Sequence, residues 1–135
     1  YKDKSILYGS IHEFPLFPGT GSEEERGLGN IFNATIKAGT YGQDFINIFE
    51  HKILKNVDKF KPEIILISAG FDAHIRDPLG NINLTSHDFF NLTKMIVQIA
   101  NIHCTGKIIS FLEGGYDLIA LKESVKEHLM ALRTL

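Results

Sequence analysis

The stretch "EIILISAG", Glu63 to Gly70, constrains the fold more than any other part of the chain. It is a continuous run of β-branched and aliphatic residues with no polar alternation. That pattern predicts a parallel strand buried on both faces. A second run of the same kind, "KIISFLE", follows at 107–113. Between and around them lie segments with helical spacing. "QDFINIFEHKILKNVDKF" repeats Phe45, Ile48, Phe49, Ile53 and Val57, and Lys61-Pro62 stops it. "LTSHDFFNLTKMIVQIANIH" offers Thr85 or Ser86 as a cap and Asp88 in its first turn. "DLIALKESVKEHLMALRTL" is apolar at Leu118, Leu121, Val125, Leu129 and Leu132.

Strands are therefore expected at 5–12, 63–69 and 107–112, with a short one in "IFNATIK". Helices are expected near 43–59, 86–102 and 118–133. The order β, loop, β, α, β, α, β, α predicts an α/β fold, a mainly parallel sheet flanked by helices. Ligands of such sheets sit beyond the carboxyl ends of the strands. Three segments fall there: the loop after His12, "GFDAH" after Ile67, and "GGYD" after Leu112.

Composition narrows the function classes. A chain of 135 residues suffices for one domain with a core, and 22% charged residues with a net charge of −2 give no nucleic-acid footprint. No apolar run reaches the length of a membrane span and no signal peptide is visible. The single cysteine, Cys104, excludes an internal disulfide, fits a reducing, cytoplasmic setting, and is expected to pack near a helix end. The loop "EFPLFPGTGSEEERGLGN" lacks the lysine of a phosphate loop, and "SEEER" reads as a solvated charge run.

The strand at 63–70 ends on Asp72, His74, Arg76 and Asp77. Asp72 follows a glycine that permits a sharp turn, and its carboxylate can ligate a divalent cation. The structural alternative is a turn cap or a pair with Arg76. His74 completes an Asp-x-His spacing but reads more readily as a packed, hydrogen-bonded histidine. Tyr116 follows "EGG" at the other strand end. Its hydroxyl can donate a hydrogen bond to a developing oxyanion, or simply sit in water.

Together "SIHEFPLFPGTG", "PEIILISAGFDAHIRDPLG" and "FLEGGYDL" resemble the histone deacetylase and acetylpolyamine amidohydrolase superfamily, particularly its bacterial and class II-like members. The order and spacing match over nearly the whole chain. The resemblance implies an arginase-like, deacetylase-like fold, present in part, and a zinc-dependent hydrolase acting on acylated amines of the acetyl-lysine or acetylpolyamine type. It implies that Asp72 is the third zinc ligand and that Tyr116 bonds the substrate carbonyl. Phe17 matches an aromatic wall of the acyl tunnel, Leu79 its rim, and Gly114 and Gly115 the glycines beside the tyrosine. Ser10 and Ile11 match positions that help bind a structural monovalent cation, K+.

The family's other two zinc ligands and its paired histidines belong to motifs upstream of residue 1. The six histidines here, His12, His51, His74, His87, His103 and His128, include no adjacent pair. The chain accordingly reads, over 1–135, as the C-terminal portion of one deacetylase-like domain, inactive alone and completed by an N-terminal segment. The alternative is a non-catalytic α/β binding module derived from the fold.

Overall fold

The computed structural model describes residues 2–16 and 18–134. Four strands and a set of helices follow the expected order. Strand β1 (Tyr8–Glu13) pairs in parallel with β2 (Ile31–Ile36), from Tyr8 opposite Ile31 to Glu13 opposite Ile36. Strand β3 (Ile65–Ala69) pairs in parallel with β4 (Ile108–Leu112), from Ile65 opposite Ile108 to Ala69 opposite Leu112. The described strands thus form two parallel two-stranded ribbons, not one continuous sheet.

The first helical region carries a surprise. Helix α1 (Gly42–Ile48) passes into a π-helical segment, Phe49–Leu54, before α2 (Lys55–Phe60). The expected single helix is therefore widened at its centre. Adjacent Ile53 and Leu54 are both buried there. Strand β1 lies close against this bulge: a side chain at Gly9 would crowd the Ile53 methyl at 2.8 Å. The region ends as expected at Lys61, in a left-handed conformation just before Pro62.

Helix α3 (Ser86–His103) starts at Thr85, whose N–H and hydroxyl both donate to the Asp88 carboxylate at 2.7 Å. Buried Cys104 follows its last turn, as anticipated. Helix α4 (Leu118–Leu132) is capped by Asp117, which accepts from the Ala120 N–H at 2.6 Å. The core joins Ile36, Phe45, Ala69, Phe71, Ile82, Leu84 and Phe89. Phe71 and Phe89 meet edge to face, 5.1 Å apart, the geometry that aromatic quadrupoles favour. No helix among the described residues is long and apolar enough to cross a membrane.

Two expectations need correction. The apolar run 63–70 is not covered on both faces: Leu66 is 63% exposed, and Phe111 on the neighbouring strand 52%. Helices α3 and α4 cover one side of the β3–β4 ribbon, where the Ser110 hydroxyl meets His128 of α4. The side carrying Leu66, Ser68, Ile109 and Phe111 stays open. The charge run "SEEER" is also more than a solvated face. Glu25 accepts from the Gly21 and Ser22 N–H groups, and Glu23 pairs with Lys52. With Asn33 donating to the Ser22 and Glu25 carbonyls, these bonds shape the long β1–β2 connection from inside.

Candidate active site

Beyond the ends of β3 and β4 the two chains stay together for two more residues. The Glu113 N–H donates to the Ala69 carbonyl at 3.0 Å and the Phe71 N–H to the Gly114 carbonyl at 2.8 Å. This continuation brings the residues after each strand to one edge. Asp72 emerges from one side and the turn Gly114–Tyr116 from the other.

The Asp72 carboxylate lies in a cradle of glycines. A Cβ on Gly70 would stand 3.0 Å from its Oδ1, and one on Gly114 would overlap Oδ2. No other residue type leaves that space. Burial raises the pKa of Asp72 above its ordinary value, against the pull of its own backbone N–H, and the negative charge of Asp77 raises it further. No side chain of the described residues donates to this carboxylate. Arg76 does not pair with it but bonds Glu123 at 2.6 Å. An under-compensated, half-buried carboxylate of this kind favours a cation.

Tyr116 is 55% exposed at the same edge. Gly115 has φ +135°, a conformation that L side chains rarely adopt, and it turns the chain so that Tyr116 follows the cradle directly. The Tyr116 N–H donates to Asp77 Oδ2 at 2.8 Å. Leu79 sits on the same tether: its N–H donates to Asp77 Oδ1 at 2.9 Å, and the residue is 65% exposed. Strand β1 reaches the edge through Glu13, whose carboxylate accepts from Asn81 Nδ2 at 3.1 Å. Asp72, Leu79, Gly114, Gly115 and Tyr116 are therefore neighbours. Phe17 lies outside the described residues.

Ser10 and Ile11 stand apart from this group, on the other ribbon. Ile11 packs against the core. Ser10 lines a groove of about 570 Å³ with Asp3, Tyr8, His12 and Asn33. His12 Nε2 lies 2.9 Å from the Gly21 carbonyl, so Nε2 carries the proton and Nδ1 accepts from the Ser10 hydroxyl at 2.9 Å. His74 is packed and hydrogen-bonded, the reading preferred over the ligand that its Asp-x-His spacing offered. Its Nδ1 accepts from the Arg76 N–H at 3.1 Å, which leaves Nε2–H to donate to Ser86 Oγ. Burial, aided by Arg76, lowers its pKa.

Asp77 is the functional-edge residue that sequence reasoning left without a role. One signal was present: Asp before Pro-Leu-Gly is a turn former whose carboxylate bonds backbone two residues on. The bond to Tyr116, 39 residues away, has no sequence signature.

Among the described residues no three His, Cys, Asp or Glu side chains converge on a metal position. The donor chemistry fits one carboxylate ligand of a zinc ion, short of the three protein ligands that a catalytic zinc has.

A family model for the histone deacetylase domain matches residues 1–132. The chain is 37% identical to histone deacetylase 14, chloroplastic, of Arabidopsis thaliana, over 97% of its own length and 32% of that protein. A crystal structure of the HDA15 HD domain superposes with a TM-score of 0.89 at 34% identity, covering 97% of this chain and 38% of that one. The histone deacetylase Clr3 superposes with a TM-score of 0.91 at 30% identity, covering 99% and 24%. The chain spans about a third of the length of the curated relatives it matches. Its fold is accordingly an incomplete deacetylase-like α/β fold, and the chain belongs to the histone deacetylase family.

Proposed function

We propose that this chain is the C-terminal part of a zinc-dependent amidohydrolase domain that removes acetyl groups from acylated amines. The observation that carries the reading is the glycine-cradled Asp72 carboxylate beside the Gly-Gly-Tyr turn. Asp72 serves as one zinc ligand, and two more come from the rest of the domain. Zinc, when held there, supplies polarisation of the acetyl carbonyl and activation of water. The Tyr116 hydroxyl donates a hydrogen bond to the oxygen on which negative charge develops. Gly114 leaves the space of its missing Cβ to the Asp72 carboxylate, and Gly115, whose Cβ would meet Leu121 and Phe71, turns the chain so that Tyr116 follows at the substrate's edge. Leu79 forms an apolar rim that holds the substrate's methylene stem. Ser10 and Ile11 contribute oxygens to a structural potassium site that the rest of the domain completes.

The isolated chain is expected to show no zinc-dependent deacetylation. Joined to the remaining part of the domain, it should bind zinc and hydrolyse an acetylated amine such as a fluorogenic acetyl-lysine peptide. In that complete form Asp72→Ala should abolish zinc binding. Tyr116→Phe should leave zinc bound and slow turnover by about 10²–10³-fold, the usual loss for one oxyanion donor. An isolated chain whose deacetylation is lost to a chelator would overturn the proposal. A complete domain that binds no zinc would favour the non-catalytic binding module instead.

A further inference from the structure

Asp77 is 8% exposed and carries a carboxylate with three backbone donors. Oδ1 accepts from the Leu79 N–H at 2.9 Å and from the Gly80 N–H at 3.1 Å. Oδ2 accepts from the Tyr116 N–H at 2.8 Å. The first two bonds are those of an ordinary turn. The third is not local: it crosses from the loop after β3 to the turn after β4. The loop it anchors also folds back tightly, since a Cβ on Gly80 would overlap the Asp72 backbone carbonyl. One carboxylate therefore ties together the segment that carries Asp72, the exposed Leu79 and the backbone of Tyr116.

We propose that Asp77 is a positioning residue that sets the placement of the Tyr116 hydroxyl relative to the Asp72 carboxylate. This rests on the deacetylase reading above, in which those two groups act on one carbonyl. Asp77 touches no substrate. It works because an ionised carboxylate is acceptor-only and can receive N–H groups on both of its oxygens. An asparagine of the same shape keeps one acceptor oxygen and turns its NH₂ towards an N–H on the other side. One arm of the tether is then lost while the volume is kept.

The test is a double-mutant cycle in the complete domain. Asp77→Asn should retain zinc and leave KM unchanged while kcat falls by about 10–100-fold, the scale of loss for sub-ångström to ångström misplacement of a catalytic group. Hydrogen exchange at the Tyr116 amide should quicken. In a Tyr116→Phe background, Asp77→Asn should cost no further kcat, because the group it positions is already gone. Equal losses in both backgrounds, or an unchanged kcat, would overturn the positioning role. If Tyr116→Phe by itself leaves turnover intact, the oxyanion reading of the site fails, whatever Asp77 does to the Tyr116 amide. Should Asp77→Asn not fold, Asp77→Glu supplies the same cycle, keeping the charge but lengthening the tether by one methylene. Loss of kcat there that vanishes in the Tyr116→Phe background supports the proposal, and additive loss overturns it.

Discussion

The Asp72 carboxylate has its position because two residues beside it have no side chain. Gly70 precedes it by two positions, and Gly114 arrives from the other strand. Gly114→Ala would place a methyl where the carboxylate lies. A short aspartate cannot bend around that contact, so it must rotate away. Zinc affinity of the complete domain should fall by about 10–100-fold, as for loss of a group that orients a metal ligand. Titration with a zinc indicator measures this, and a melting temperature that drops steeply as well would mean the methyl damages the core rather than the ligand. Gly114 was legible in the sequence as a glycine next to the tyrosine. That its missing Cβ makes room for Asp72 was not, because the contact spans two strands whose pairing no local pattern encodes. The same limit hid the bond from Asp77 to the Tyr116 amide.

Elements show the opposite balance. The five- and six-residue strands and the long helices were readable from apolar period and from the cap at Thr85. Two features escaped. The π segment at Phe49–Leu54 keeps an apolar pattern that an α-helix would also satisfy, so periodicity cannot separate them. The polar contact inside the α3–α4 layer was equally silent. His128 on α4 is buried between Thr93 of α3 and Ser110 of β4. Thr93 gives its hydroxyl proton to the Phe89 carbonyl, so His128 Nδ1–H donates to Thr93 Oγ1 and the bare Nε2 accepts from Ser110. Burial holds the His128 pKa below the ordinary 6.5. Unfolded, the imidazole takes up a proton near its ordinary value; folded, it resists. This contribution to stability is therefore complete above the unfolded pKa and is lost as pH falls towards the lower folded one. Urea midpoints should decline from about pH 7 to about pH 5, and His128→Gln should flatten that decline. It will not remove it, since His74 is shifted the same way. A slope indifferent to His128→Gln would disprove the assignment. At the end of the same helix, Asp117→Ala removes the bond to the Ala120 N–H. Its expected cost is about 1 kcal/mol in denaturant unfolding.

At the scale of the whole molecule, the open face of the β3–β4 ribbon is the dominant fact. Leu66 and Phe111 are strand residues of a core type with water over them. The apolar runs announced the parallel pairing of β3 with β4 but not its open face, because burial is a property of everything packed around a strand. One chain's sequence cannot say what supplies the second cover. If the rest of a deacetylase domain supplies it, Leu66→Ala has two different costs. In the isolated chain the change should be near neutral by urea unfolding. In the complete domain it should cost about 2–5 kcal/mol, the range for truncating a buried leucine. Equal small effects in both forms would show that this face stays wet. The pairing of β3 with β4 carries one more consequence. Gly114 stands beside Asp72 only when Ala69 lies opposite Leu112. A slip of one residue would exchange Gly114 for Glu113 or Gly115 and turn every side chain of the strand to the other face. With Glu113 there, two carboxylates would share the cradle. If Asp72 ligates zinc as proposed, zinc uptake by the complete domain therefore reads strand alignment as well as ligand identity: a chain slipped to Glu113, however compact, would lack the space in which the Asp72 carboxylate sits.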